Sequence, residues 1–199
     1  MKFMKPFAIA LAVLLPCLAA SLGEDRAKIF GNPAAPVRIE VYSDFQCPAC
    51  KGFHEVLLPI LMRDYVVPGK AYIYNHEFPL PMHPHSRAAA QLATAAASIG
   101  KYSQVADVLF QQQASWGTSG KVWETVATVL TPAEQKKVQA LAKDPATIAQ
   151  VQAQVDAGKP IINQTPTLVV IRGAKRYNFP GPDQNNYPLL RSLIDGLLK

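Results

Sequence analysis

The chain is poor in charge: Asp, Glu, Lys and Arg make up 17% of 199 residues, against roughly 25% in an average soluble domain. With 49% hydrophobic content, that excludes a disordered chain, which needs little apolar and much charged sequence. No run of like charges is long enough to form a nucleic-acid tail. Gly/Ser tracts, repeats of 20–50 residues and sustained heptads are missing too, so linker-rich, solenoid and coiled-coil architectures fall away. Cysteine is scarce, with three residues in all, which excludes a disulfide-stapled scaffold. What remains is enough apolar sequence for one sizeable core, with room for an insertion.

The N-terminus reads as a secretory signal, residues 1–23. Lys2 and Lys5 form a positive start, and no charge follows until Glu24. The apolar stretch Phe7–Ala20 is interrupted by Pro16 and is short of the ~20 residues a bilayer-spanning helix wants. Cleavage is expected after Gly23 or after Ala20. Cys17 would leave with the signal; Pro16 occupies the position where a lipoprotein signal wants a small residue. The formal charge of +6 then falls to +4, eighteen cations against fourteen anions, and the cations are scattered. We read them as a solvated basic surface and expect no nucleic-acid partner.

Pro36–Tyr42 alternates Val37, Ile39 and Val41 with polar neighbours, a strand signal. A helix follows from Pro48, with Phe53, Val56, Leu57, Ile60 and Leu61 at helical spacing and a kink expected at Pro59. Ala71–Phe78 is a second strand. Helices are then expected over Ser86–Ile99, Tyr102–Gln113, Lys121–Leu130, from the Thr131–Glu134 capping box onward, and from Asp144-Pro145 to about Ala157. Thr167–Ile171 and Lys175–Phe179 return to strand, and Asn186–Leu198 closes with a helix. The pattern is α/β: residues 24–79 and 160–199 form one sheet-and-helix unit, with a helical block, 80–159, inserted.

The chemistry is concentrated in Cys47-Pro48-Ala49-Cys50, at a strand-to-helix junction. A thiol at a helix N-terminus meets unpaired backbone N–H groups, which favour its thiolate. Cys50 lies one turn further in, and is expected to be more buried and to act as the resolving sulfur. That division of labour is what thiol–disulfide exchange requires. Structural zinc needs four ligands, and there is no second CxxC; His83 and His85 stand one residue apart, unlike a finger. A purely structural disulfide is the other rival.

VYSDFQCPAC, together with Gln164-Thr165-Pro166-Thr167 before a late strand, resembles the thioredoxin superfamily, and more narrowly the DsbA-like envelope disulfide oxidoreductases. The resemblance runs from about Val37 to Leu198. It implies a thioredoxin fold, a central mixed β-sheet flanked by helices, with an inserted α-helical domain. It implies Cys47 and Cys50 as the catalytic pair and Pro48, Ala49, Thr165 and Pro166 as active-site support. Pro166 would follow a cis peptide bond, and Thr165 and Pro166 would hold substrate by strand-like hydrogen bonds. Ala49 departs from the histidine common at that position, so thiolate stabilisation should be weaker and the potential intermediate, between about −270 mV for thioredoxin and about −120 mV for DsbA.

Other residues carry two readings each. Glu40 is either a buried acid beneath the pair, taking a proton from the resolving cysteine, or a surface strand glutamate. His54 tunes the pair or, as we expect, faces solvent, and Lys51 is expected exposed. His76, Met82, His83 and His85 could bind copper, but turn formation and helix entry is the simpler role. Trp116 and Trp123 are expected to pack in the helical block.

The expected protein is a monomeric, secreted or periplasmic oxidoreductase that introduces disulfides into exported cysteine-containing proteins, with no dissociable cofactor and no bound metal. By resemblance, a membrane quinone-linked oxidase of DsbB or VKOR type would re-oxidise it. The alternatives are an envelope reductase or isomerase and a copper-binding or chaperone-like adaptor. Family isomerases carry an N-terminal dimerisation domain, and about thirteen residues between Gly23 and the first strand are too few for one.

Overall fold

The computed structural model describes residues 26–199; the expected signal, residues 1–23 with Cys17, lies outside them. Five strands form one mixed sheet: β1 (Ile29–Phe30), β2 (Val37–Ser43), β3 (Ala71–Glu77), β4 (Thr167–Arg172) and β5 (Lys175–Pro180), in the order β1-β3-β2-β4-β5. β2 and β3 run parallel, with Val41 opposite Asn75 and Ser43 opposite Glu77. β4 is antiparallel to β2, and Tyr42 faces Thr167 in register. Short β1 was not expected from sequence: two residues carry no periodicity, and only pairing to β3 defines them.

Both sheet faces are covered, so β2 and β3 are buried almost throughout. On one face Val37, Ile39 and Val41 meet Phe53, Leu57 and Leu61, and Leu190, Ile194 and Leu197 of the last helix, α9 (Tyr187–Leu198). That i, i+4, i+7 stripe buries one flank of α9. On the other face Tyr42 and Val169 pack with Phe78, Val155 and Ile162.

The helix that begins at Pro48 runs as α1 (Pro48–Gly52), a π turn at Phe53–Leu57, α2 (Leu58–Leu61) and a second π turn at Met62–Val66. Pro59, where a kink was expected, is the second residue of α2, one residue past the first wide turn. Its ring crowds the carbonyl four residues back and it donates no hydrogen bond. Widening the preceding turn is how helices take up such a local misfit.

Between β3 and β4 come α3 (Ser86–Ala97), α4 (Tyr102–Gln111), α5 (Gln113–Ser119), α6 (Val122–Ala127), α7 (Pro132–Ala142) and α8 (Pro145–Gly158). Alanines let α3 be approached closely on several sides, and nine of its twelve residues are buried. The expected helix over 102–113 ends at Gln111 and restarts as α5, which stops at Gly120 in the left-handed conformation (φ 74°), a backbone that favours glycine. Thr131 and Glu134 form the expected capping box on α7. Trp116 is fully buried, its indole N–H donating to the Leu109 carbonyl, and Trp123 packs partly buried against the same cluster.

The core of the helical block does not end at its own boundary. Phe45, Cys47 and Cys50 belong to the same cluster as Ala89, Ala93, Val105, Leu109 and Trp116.

Candidate functional site

Cys47 is the N-cap of α1, with extended backbone (φ −77°, ψ 122°), and Pro48 takes the first helical position. A proline costs nothing there, since that N–H has no intrahelical partner. Both cysteines are buried free thiols, but Cys47 keeps 8% exposure and Cys50 has none. The Cys47 thiol is lowered to about 5. The largest cause is a hydrogen bond from the Cys50 thiol, helped by the backbone N–H groups of Cys50 and Ala49, which together outweigh burial. Burial pushes the Cys50 thiol well above its ordinary range, and the bond it gives to Cys47 adds to that; the Asp44 N–H and the Ser43 side chain oppose it.

The Thr165–Pro166 peptide bond is cis. It brings the Thr165 carbonyl to 3.5 Å from the Cys47 sulfur across 118 residues of sequence. Cys47, Pro48, Ala49, Cys50, Thr165 and Pro166 are therefore together. Beside them a groove of about 340 Å³ is lined by Ala49, Phe53, Val56, Pro166, Pro182 and Asp183.

Glu40 is buried, but it is not at the pair. It alternates with Ile39 and Val41, which face the CxxC helix, and so points to the opposite side of the sheet. Its carboxylate takes Arg38 at 2.6 Å, Arg176 at 2.8 Å and the Tyr42 hydroxyl at 3.3 Å. The acid on the sulfur side is Glu77, which no local sequence pattern marked. Glu77 is fully buried, pairs with the equally buried Lys28 at 3.2 Å, and is raised by that burial. With Ser43, His54, Asn75 and Tyr102 it lines a cavity of about 20 Å³ behind the redox helix, room for one water.

His54 does not face solvent as expected. Helix α4 lies over it: the imidazole bonds Asp107 at 2.8 Å, stacks on Phe110 at 4.5 Å, and keeps 15% side-chain exposure. Lys51 is partly exposed and reaches Glu55 and the Gln111 carbonyl. The histidines of the copper reading are scattered in role. Burial lowers His76 to about 3, and it stacks on Tyr42; His83 bonds Asp44; His85 packs against Gly120. Among the described residues no group of three or more His, Cys, Asp or Glu could hold a metal ion.

Asp44 is the other residue that sequence reasoning missed. Its carboxylate takes the N–H groups of Gln46 and Leu80 at 2.7 Å each, Ser86 Oγ at 2.5 Å and His83 Nδ1 at 2.8 Å. Its own N–H points at Cys50 Sγ, 3.4 Å away, and its carbonyl accepts from the Cys47 N–H. An Asp two residues before the N–H it accepts is an Asx turn, a signal readable in DFQC.

A dithiol on a strand-to-helix junction, beside a cis-proline loop and on a five-stranded mixed sheet with helices inserted after β3, defines a thioredoxin-fold protein of DsbA-like architecture. The chain belongs to the thioredoxin family: the family model described as Thioredoxin matches residues 24–188. The fold is similar to that of alpha-DsbA1 of Wolbachia pipientis, with a TM-score of 0.69 and 20% identity, covering 86% of this chain and 90% of that one. A protein of Rickettsia prowazekii named as a protein-disulfide oxidoreductase is 26% identical over 171 residues, 83% of this chain and 58% of that protein. Na(+)/H(+) antiporter NhaA 3 of Salinispora tropica is 33% identical over 96 residues, 48% of this chain and 14% of the antiporter. The chain thus spans less than two thirds of the length of either relative.

Proposed function

We propose that this protein is an extracytoplasmic thiol:disulfide oxidoreductase that transfers its Cys47–Cys50 disulfide to cysteine-containing exported proteins. The observation that carries the reading is the asymmetry of the pair: Cys47, at the N-cap of α1, keeps some exposure in surroundings that favour its thiolate, whereas Cys50 is fully enclosed and burial favours its thiol. In the forward direction a substrate thiolate attacks Cys47 Sγ and the Cys47–Cys50 bond breaks. Cys50 leaves with the electron pair and, with its raised pKa, takes up a proton. The water-sized cavity between Ser43 and Glu77 is suited to carry that proton. A second substrate thiolate then attacks the substrate sulfur of the mixed disulfide, and Cys47 leaves as a stable thiolate. The substrate dithiol has lost two electrons and two protons, and the pair has gained the electrons.

The groove beside Ala49 and Pro166 would seat the substrate segment, and the chain acts as a monomer. The signal-like N-terminus supports export, and a membrane quinone-linked oxidase of DsbB or VKOR type would restore the disulfide. A Cys47 value of about 5 falls between about 7 for thioredoxin and about 3.5 for DsbA, in keeping with the intermediate potential expected from Ala49. Equilibration with glutathione tests the direction: a potential between about −200 and −120 mV is expected. A value at or below about −230 mV would replace the oxidase with a reductase or isomerase, and no exchange at all would remove the activity. Role assignment is checked separately: Cys50→Ala should accumulate mixed disulfides at Cys47, and Cys47→Ala should form none.

A further inference from the structure

The loop that carries Cys47 is gripped from the inserted helices. Gln113, the first residue of α5, is buried at 7% exposure. Its side-chain amide donates to two carbonyls, Phe45 O at 2.7 Å and Cys47 O at 2.9 Å. Between those carbonyls stands Gln46, whose own side chain is held at both ends: Nε2 donates to Gly117 O of α5 at 3.0 Å, and Oε1 accepts the His85 N–H at 2.9 Å. Helix α5 is in turn fixed to α4 by the Trp116–Leu109 bond.

We propose that Gln113 is a positioning residue for the exchange reaction: its amide fixes the two carbonyls flanking Gln46-Cys47 and so sets how the Cys47 sulfur faces the first turn of α1. The inference rests on the oxidoreductase reading and adds to it a control point in the insertion.

The argument is stereochemical. The orientation of the Cys47 carbonyl is the ψ angle of Cys47, 122° here. That angle sets where the N–H groups at Ala49 and Cys50 lie relative to the Cα–Cβ bond that carries the sulfur. The Cys47 carbonyl also accepts the Lys51 N–H at 3.1 Å, the first bond of the helix, and that single bond does not fix its plane. A second donor from a different element, set by its own helix, does. The Phe45 carbonyl, two residues upstream, fixes the other end of the Gln46-Cys47 segment. Both N–H groups of one buried amide thus serve the three residues leading into the nucleophile, and neither serves its own helix. Left without this donor, the buried Phe45 carbonyl would turn toward another partner and carry Cys47 with it.

The test compares the parent chain with Gln113→Met, which keeps the volume and removes both donors, and with Gln113→Asn, which retracts the amide by one methylene. Three quantities are read: the midpoint of Cys47 thiolate formation from ultraviolet absorbance of the reduced chain, the single-turnover rate of oxidation of a dithiol peptide, and Tm of the oxidised chain. In Gln113→Met the midpoint should rise by about one unit, tenfold in the acid dissociation constant. The rate near neutral pH should fall in step, and Gln113→Asn should shift both in the same direction by less. A lowered Tm with an unmoved midpoint in both variants would make Gln113 a purely structural residue and overturn the inference. Should Gln113→Met not fold, Gln113→Asn decides alone by the same criterion. A parent chain that does not exchange with thiols fails the oxidoreductase reading instead, while the midpoint comparison still reports on Gln113.

Discussion

At the scale of single residues, the sulfurs carry opposite assignments because each environment acts on a different form. Cys47 accepts hydrogen bonds that favour its charged form, and Cys50 is cut off from water, which favours its neutral form. The Cys47 shift has a consequence for stability. Its folded value, about 5, lies below the roughly 8.5 of an unfolded thiol. A depressed acid stabilises the fold above its unfolded value, and that contribution is lost as pH falls toward the folded one. Stability of the reduced chain should therefore climb between about pH 5 and pH 8 relative to the oxidised chain, which has no thiolate. Urea unfolding of both forms across that window measures it, and Cys47→Ser should abolish the climb. Parallel curves for the two redox forms of the parent would refute a thiolate held in the fold. Cys47 and Cys50 were legible in the sequence because their spacing and their place before a helix are local. Glu77 was not, because it reaches the cavity only through β2–β3 register. Glu40 misled for the converse reason: an acid seven residues before Cys47 is near it in sequence, but the two-residue period of a strand turns it to the other face.

At the scale of elements, what the sequence displayed well was anything with period or punctuation. Both long strands and the striped α9 came out close to their observed bounds, and the capping box marked the start of α7. The break at Gln112 and the existence of α5 were invisible, since QQQASWG has no stripe and its end is marked by Gly120 alone. Close packing between elements was equally hidden. The C-terminal residue of α8, Gly158, sits where a Cβ would come within 2.7 Å of the Phe78 ring and 3.1 Å of the Tyr42 ring. Its role is close approach of α8 to the sheet. Phe78 and Tyr42 are themselves packed edge to face, so neither ring can move without loosening the other. Gly158→Ala should cost about 1–3 kcal/mol by overpacking, seen as a fall in Tm of roughly 2–4 °C per kcal/mol for a chain of this size. An unchanged or raised Tm would mean that helix propensity, which favours alanine here by about 1 kcal/mol, outweighs the contact.

At the scale of the molecule, the sheet and the insertion share packing and polar ties, which predicts that they unfold as one body. Phe45, Cys47 and Cys50 lie inside the insertion's own hydrophobic cluster, and the Asp44 carboxylate ties β2's exit to the turn before α3. The deepest tie is polar. Lys28 reaches Glu77 on β3 at 3.2 Å and Thr94 Oγ1 on α3 at 2.8 Å, with its ammonium 5.5 Å from the Tyr102 ring of α4. One fully buried cation thus joins the segment before β1, the sheet and two inserted helices. Such a pair gains little over an apolar substitute, because desolvating two charges offsets their attraction, but removing one partner strands the other. Lys28→Met should therefore cost about 3–5 kcal/mol, whereas Lys28→Met combined with Glu77→Gln should recover much of it, because no buried charge is then left alone. Chemical denaturation of the single and double variants, followed by near-ultraviolet circular dichroism for Trp116 in the insertion and by amide exchange in β2 and β3, reads both parts of the argument. Coincident transitions in the two regions are expected. If Lys28→Met lowers only the midpoint of the insertion and leaves the strands unchanged, the two bodies are separable, and the redox pair is held by the sheet alone.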